Sequence, residues 1–227
     1  MKLEGGFQNL VHLKDGIVVK EYLEGSILGM TPRERKHRER RGLLKFGGVI
    51  APMFLGMNST EIRQEYIEGV NVDTLLKTDG VEKDKITSAM GLLLRRIHAT
   101  KNRWGTYIHG EFCPNNIILA PKGMYVIDWE TSGYGSPYED FAHMDLFGFR
   151  KYGLSHYAFY QGYGEMPDED MVRDFVVRKI RRFIDADPKR FEKRLARREW
   201  FETHIVNTLR DYEPHPNKLE QAHLPLH

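Results

Sequence analysis

The hydrophobic pattern of this chain changes period near Asp73, and that change limits the folds open to it. Ahead of Asp73, Asn9-Leu10-Val11-His12-Leu13 and Ile17-Val18-Val19-Lys20-Glu21-Tyr22 are short β-branched runs joined by Lys14-Asp15-Gly16. Asp-Gly supplies the positive φ of a tight hairpin turn, so two antiparallel strands are expected. Met1 to Gly6 is expected to add a further strand, with Gly5-Gly6-Phe7-Gln8-Asn9 as the glycine-bearing turn between them. Behind Asp73, apolar Ile86, Met90, Leu93, Leu94 and Ile97 recur at helical spacing, which predicts an amphipathic helix from Lys83 to His98.

Between these regions, Thr31-Pro32-Arg33-Glu34 combines a capping hydroxyl, a first-turn proline and a glutamate three residues past the cap. A helix should start there, run to about Phe46 and stop at Gly47-Gly48. Ile62 to Ile67 reads as a strand ending at Glu68-Gly69. Later come two short strands, Asn116 to Leu119 and Met124 to Ile127, linked by Pro121-Lys122-Gly123. Tyr138 to Leu209 is mostly helical in pattern, and Pro214 to His227 reads as a loose tail. The class is α+β, with a sheet-rich front third and a helical remainder.

Composition removes several alternatives. The chain has 227 residues, a net charge of +2, 41% hydrophobic and 29% charged residues, the balance of a globular protein. Its lone cysteine, Cys113, excludes an internal disulfide framework and reads as a packing residue. No apolar run approaches the roughly 18 residues of a membrane span. Met1 to Gly5 lacks a signal peptide's basic and apolar regions, so the cytoplasm is the expected compartment. The histidines lack metal-ligand spacing.

The chemistry concentrates in Ile108-His109-Gly110-Glu111-Phe112-Cys113-Pro114-Asn115-Asn116-Ile117-Ile118-Leu119, followed by Ile127-Asp128-Trp129-Glu130. A carboxylate and an amide share one loop, and a second carboxylate ends the next strand. Such oxygen donors suit magnesium, which takes one or two side chains and leaves its other positions to water and phosphate. These two stretches, H-G-[DE]-x4-N and I-D-W-E, resemble the catalytic and metal-binding loops of the aminoglycoside phosphotransferase superfamily, relatives of the protein kinases.

The resemblance implies a protein-kinase-like two-lobed fold: a small antiparallel-sheet N-lobe over residues 1–68 and a mainly helical C-lobe over 69–227. It implies ATP and Mg2+ as cofactors, Glu111 as the catalytic carboxylate, His109 as the prop of its loop, and Asn116 and Asp128 as metal ligands. Lys20 falls where the family has its phosphate-binding lysine, and Gly5 and Gly6 where a glycine turn covers the phosphates, without the full kinase spacing. A helix glutamate should pair with Lys20. Glu39 shares a face with Leu43 and Phe46, whereas Glu34 is taken by the capping box, so Glu39 is the expected partner. Gln64 to Gly69 resembles the hinge between lobes, where the C=O of Glu65 and N–H of Ile67 would meet the adenine edge. Asp140, in Asp140-Phe141-Ala142, is expected to brace the catalytic loop. The chain departs from the commonest pattern at Glu111, where most members carry aspartate. The extra methylene displaces the carboxylate by roughly 1.5 Å, a covalent bond length, and misplacement on that scale can cost about a hundredfold in rate.

The implied acceptor is a hydroxyl. Only about nine residues separate Glu130 from Asp140, short for the activation segment that protein substrates usually need, so a small molecule is expected. Between Met171 and Trp200, eleven Lys and Arg stand against five acids, a poor lining for a polycation. A sugar, amino alcohol or anionic metabolite therefore ranks above an aminoglycoside. The basic residues there, with Arg33, Arg35, Lys36, Arg38, Arg40 and Arg41 on the first helix, keep a nucleic-acid or protein partner open without predicting one. The alternatives are a small protein kinase of the Rio type or of tRNA-modification complexes, and a catalytically weak nucleotide-binding protein. The sequence does not choose between ATP and GTP.

Overall fold

A computed structural model describes residues 9–24 and 29–186, with side chains placed through Arg182. The expected strand at Met1 to Gly6, the turn at Gly5 and Gly6, and everything from 187 on, tail included, lie outside the described residues.

Strands β1 (Asn9–Lys14) and β2 (Ile17–Tyr22) pair antiparallel, with Asp15 and Gly16 both at positive φ, 52° and 75°. Helix α1 (Pro32–Phe46) begins with the complete capping box, Thr31 and Glu34 each bonding the other's backbone N–H. Strands β3 (Phe54–Met57) and β4 (Glu61–Glu65) complete a four-stranded sheet in the order β1-β2-β4-β3. Strand β4 stops at Glu65 rather than Ile67, because its partner Ile17 is the first residue of β2 and no strand lies beyond it. Strand β3 went unread in the sequence: Pro52 precedes it, and a register shift at Phe54/Gly56 breaks the alternation that marks strands.

Period 2 sends Val18, Lys20 and Tyr22 to the buried face of β2. Helix α1 turns Arg35, Glu39, Leu43 and Phe46 inward. Its Gly42 is a packing requirement, since a Cβ there would sit 2.7 Å from Cβ of Trp129. Trp129, wholly buried, stacks on Phe46 with ring centroids 4.9 Å apart. The residue after Asp128 is thereby wedged under α1.

The rest is helix with short ribbons. Strand β5 (Val70–Asn71) leads into α2 (Val72–Leu75) and α3 (Lys83–His98). Strands β6 (Lys101–Asn102), β7 (Gly105–Ile108) and β10 (Gly133–Gly135) form one ribbon, while β8 (Ile117–Ala120) and β9 (Gly123–Val126) join β5 in another. The strand expected from Asn116 starts one residue later, because Pro114–Asn116 form a 3₁₀ turn. The next ends at Val126, not Ile127. Helix α4 (Tyr138–Met144) runs through a π-helical stretch, Asp145–Phe149, into α5 (Arg150–Tyr152), and α6 (His156–Tyr163) and α7 (Glu169–Ala186) follow. Of the periodic residues of α3, Met90, Leu94 and Ile97 are fully enclosed and Leu93 is buried, while Ile86 is partly buried against the core. Gly91 and Gly162 let α3 and α6 meet backbone to backbone. Among the described residues no helix is long and apolar enough to cross a membrane.

Candidate active site

One buried ammonium organises the site. Lys20 Nζ, on a side chain 6% exposed, lies 3.0 Å from Glu39 Oε2 and 3.3 Å from Glu130 Oε2, and bonds Asp128 Oδ1 as well. Burial alone would lower its pKa, but Asp128, Glu130 and Glu39 outweigh it and hold it well above the ordinary lysine value. Burial raises Glu39 to about 7, against the pull of Lys20. Asp128 is held low by Lys20, which overcomes its own desolvation.

Neighbouring groups fix this centre from below. Arg35, with no exposed surface, reaches Asn9 Oδ1 at 3.0 Å, Glu130 Oε2 at 3.4 Å and the Leu23 carbonyl at 3.2 Å. Asn9 also donates to Glu130 at 2.8 Å. Arg35 and Lys36 were read in sequence as part of a basic helix surface, and the structure corrects this. Both are buried, and Lys36 binds the carbonyls of Asn58 and Ser59. Arg35 stands four residues before Glu39 on the inward face, a signal present in the helical period. Glu130 is the last residue of the I-D-W-E stretch, and nothing in the local sequence marks it as buried. Its burial at 2% exposure makes it part of the same cluster.

Asp128 sits at φ +66°, a left-handed conformation that Asp tolerates better than most residues. Trp129 Nε1 donates to the Val126 carbonyl at 2.8 Å, tying the turn back to β9. The preceding loop is braced from α4: Asp140 accepts the N–H of His109 at 2.8 Å and of Gly110 at 2.6 Å, and meets His98 Nε2 at 3.0 Å. His109 is a prop. Its Nε2 faces the Ile127 carbonyl at 3.1 Å and, since a carbonyl only accepts, carries the proton. Burial lowers its pKa, so the ring is neutral and links the two loops.

Glu111 follows directly. Burial, reinforced by the charge of Asp128, raises its carboxyl to about 7. Asn116 Nδ2 donates to the Glu111 carbonyl at 2.9 Å, and its backbone carbonyl accepts from Ile127 N–H at 2.9 Å. The amide oxygen of Asn116 and the carboxylate of Asp128, 35% exposed, are oxygens that could hold a cation here. Glu39, Asp128 and Glu130 offer oxygens within 4.8 Å of one another, three carboxyls against the cations Lys20 and Arg35, with Glu39 raised to about 7 and so only part-ionised at neutral pH. An oxygen donor set of this kind fits a hard divalent cation.

Not every expected residue joins the cluster. Glu65 ends β4, and its carboxylate accepts from the Met53 N–H at 3.0 Å. Ile67 is buried beside it. Cys113 is buried and its thiol pushed up to about 12 by desolvation, which makes it inert. Lys179, read as one of the basic surface residues, is instead buried against Gly110.

Residues 104–175 match the model of the phosphotransferase enzyme family. A probable bifunctional tRNA threonylcarbamoyladenosine biosynthesis protein of Methanosarcina acetivorans is 26% identical over 140 residues, 56% of this chain and 24% of that protein. The chain thus spans about a quarter of the length of the curated relatives it matches there. Among solved structures, APH(2")-IIa with gentamicin is similar at a TM-score of 0.64 and 16% identity, covering 92% of this chain and 90% of that one. Its complex with streptomycin and ATP is similar at 0.60 and 16%, covering 82% and 85%. A choline/ethanolamine kinase family protein from Mesorhizobium loti is similar at 0.64 and 13%, covering 95% and 88%. The chain has the protein-kinase-like fold seen in aminoglycoside phosphotransferase and choline/ethanolamine kinase family structures, and the stretch matched by the phosphotransferase family model contains both loops.

Proposed function

We propose that the protein is an ATP- and magnesium-dependent kinase that moves the γ-phosphate to a hydroxyl of a small molecule. One observation carries the reading: a single buried ammonium, Lys20, meets Glu39 at 3.0 Å and also bonds Asp128. That geometry keeps a cation where phosphate oxygens arrive, beside the carboxylate that would hold their metal. Lys20 binds the α and β phosphates, and Glu39 keeps it extended. The C=O of Glu65 and N–H of Ile67 take the adenine edge. Of the described residues, those up to 68 form the nucleotide lobe and those from 69 onward the helical lobe. ATP complexed with a protein of the same fold supports the choice of nucleotide.

Asn116 and Asp128 would hold magnesium, which when bound neutralises charge on the phosphates. Glu111, with its carboxyl raised to about 7, takes the acceptor's proton at neutral pH and orients the oxygen for attack. His109 and Asp140 keep that carboxylate in place, and the transfer depends on position and charge rather than on a covalent intermediate. The excess of Lys and Arg over acids between Met171 and Trp200 disfavours an aminoglycoside and favours a sugar, amino alcohol or anionic metabolite. The protein works in the cytoplasm, where ATP is abundant.

The test is transfer from labelled ATP across sugars, amino alcohols, aminoglycosides and whole proteins, with Glu111→Gln and Asp128→Ala as controls. Full turnover in both variants would overturn the site. Labelled protein instead of small molecule would favour a second reading, a small protein kinase.

A further inference from the structure

Helix α7 carries four basic residues in a row of five positions, Arg178, Lys179, Arg181 and Arg182, and only Lys179 points inward. Its side chain is 7% exposed. Nζ donates to the Gly110 carbonyl at 2.7 Å and to the Glu139 carbonyl at 3.4 Å, with the Glu139 carboxylate at 3.8 Å. Burying an ammonium costs desolvation, and here that cost lowers the lysine's pKa. A surface helix has no need of such a residue for solubility. The position is also not needed for adhesion of α7, since Val176 and Ile180 pack on Ala142 and Leu146 and Phe175 stacks on Tyr138 at 5.7 Å.

Gly110 is the residue this ammonium reaches, and its conformation is demanding. It stands at φ +87°, and a Cβ would meet Thr131 Oγ1 at 2.8 Å. Its N–H is held by Asp140 Oδ1 at 2.6 Å and its C=O by Lys179 at 2.7 Å. An anion on the donor side and a cation on the acceptor side are the two charge-assisted bonds that its backbone can make, and both are made. The Gly110 carbonyl belongs to the same peptide as the Glu111 N–H, so this clamp sets the direction in which the Glu111 side chain leaves the loop. Among the charges acting on Glu111, Asp128 and Glu130 oppose its ionised form and Lys179 favours it.

We infer that Lys179 is a positioning residue for phosphoryl transfer, holding the Gly110–Glu111 peptide from the carbonyl side while Asp140 holds it from the amide side. The inference rests on the proposed function for its chemistry, but the clamp itself is a property of the loop. It assigns to α7 a part in the active site, with the ammonium acting through Glu111 rather than on the substrate.

The experiment compares Lys179→Met, which keeps the apolar stem, with Lys179→Arg, which keeps a charged donor. Steady-state ATP hydrolysis with magnesium and amide hydrogen exchange over residues 108–113 and 169–180 are measured on the full chain. In Lys179→Met, kcat should fall by about ten- to a hundredfold, the scale of a small misplacement, with KM for ATP little changed. Exchange should quicken in 108–113 and not in 169–180, and Lys179→Arg should recover both readouts. Unchanged loop exchange in Lys179→Met, or loosening of α7 together with the loop and no recovery by Arg, would overturn the inference and leave Lys179 a helix anchor. If the unmodified protein turns over no ATP, or Asp128→Ala turns it over equally well, the phosphotransferase reading falls. The exchange comparison then decides alone for or against the clamp.

Discussion

Lys20 on β2 and Glu39 on α1 meet at 3.0 Å with 6% and 0% of their side chains exposed, so their charges interact with little solvent between them. Removing the ammonium leaves Glu39, Asp128 and Glu130 gathered without it. Lys20→Met should therefore lower stability by about 3–5 kcal/mol, the usual result of stripping one partner from a buried ion pair. Urea unfolding measures this, and added magnesium should narrow the difference by replacing the lost positive charge. An unchanged midpoint would mean that the carboxylates disperse freely.

Asp140 accepts two loop N–H groups, from His109 and Gly110, and pairs with His98. Asparagine offers one accepting oxygen and sets an NH2 against a donor. Asp140→Asn should cost about 2–3 kcal/mol, the scale of leaving a buried polar group unsatisfied. It should also lower kcat for ATP turnover far more than it raises KM. Thermal melting and steady-state kinetics together check this.

Glu111 has its carboxyl raised to about 7, from an ordinary value of 4.5, chiefly by burial. The ionised form accepts the proton, so turnover should climb as pH rises through about 7 and level above it. For stability the sign runs the other way. The folded protein holds this proton more tightly than the unfolded chain, so the contribution is full below pH 4.5 and lost as pH rises through 7. Denaturant titrations at pH 5 and 8 should show a smaller loss in Glu111→Gln than in the unmodified protein.

Trp129 fills the space under Gly42 and stacks on Phe46. Trp129→Ala should cost about 3–5 kcal/mol through the cavity it leaves. Gly42→Ala should cost about 1–3 kcal/mol through overpacking. Because Trp129→Ala removes the ring atoms Cδ2 and Cε3 that a Gly42 Cβ would meet at 2.8 Å and keeps only Cβ, the double variant should be less unstable than the sum of the singles. Additive losses would deny the contact.

Cys113 is buried with its thiol pushed up to about 12. Iodoacetamide at pH 8 should leave the native protein unlabelled and label it fully in urea, read by intact mass. Rapid native labelling would mean that the loop opens.

Patterns of period 2 and 3.6 were enough to place β1, β2, α1 and α3, and the capping box at Thr31 to Glu34 set the start of α1 to the residue. The two loops could be recognised because Glu111, Asn116 and Asp128 lie close together in the chain, on motifs short enough to read. Glu39 was distinguished from Glu34 by helical phase and by the capping box that occupies Glu34, and the same phase pointed inward at Arg35, where charge misled the reading.

The amino-acid order alone placed β1, β2, α1 and α3 and the loops that hold the acidic and amide groups, because spacing along a chain is local and repeats with the period of the backbone. Only the tertiary structure decided that Lys20, Glu39 and Glu130, 19 and 110 residues apart from the lysine, converge on one another, and that Lys179 reaches back 69 residues to Gly110. A charged residue reads as exposed until the partner that offsets its desolvation is in place, and that partner comes from another element whose position no local pattern encodes.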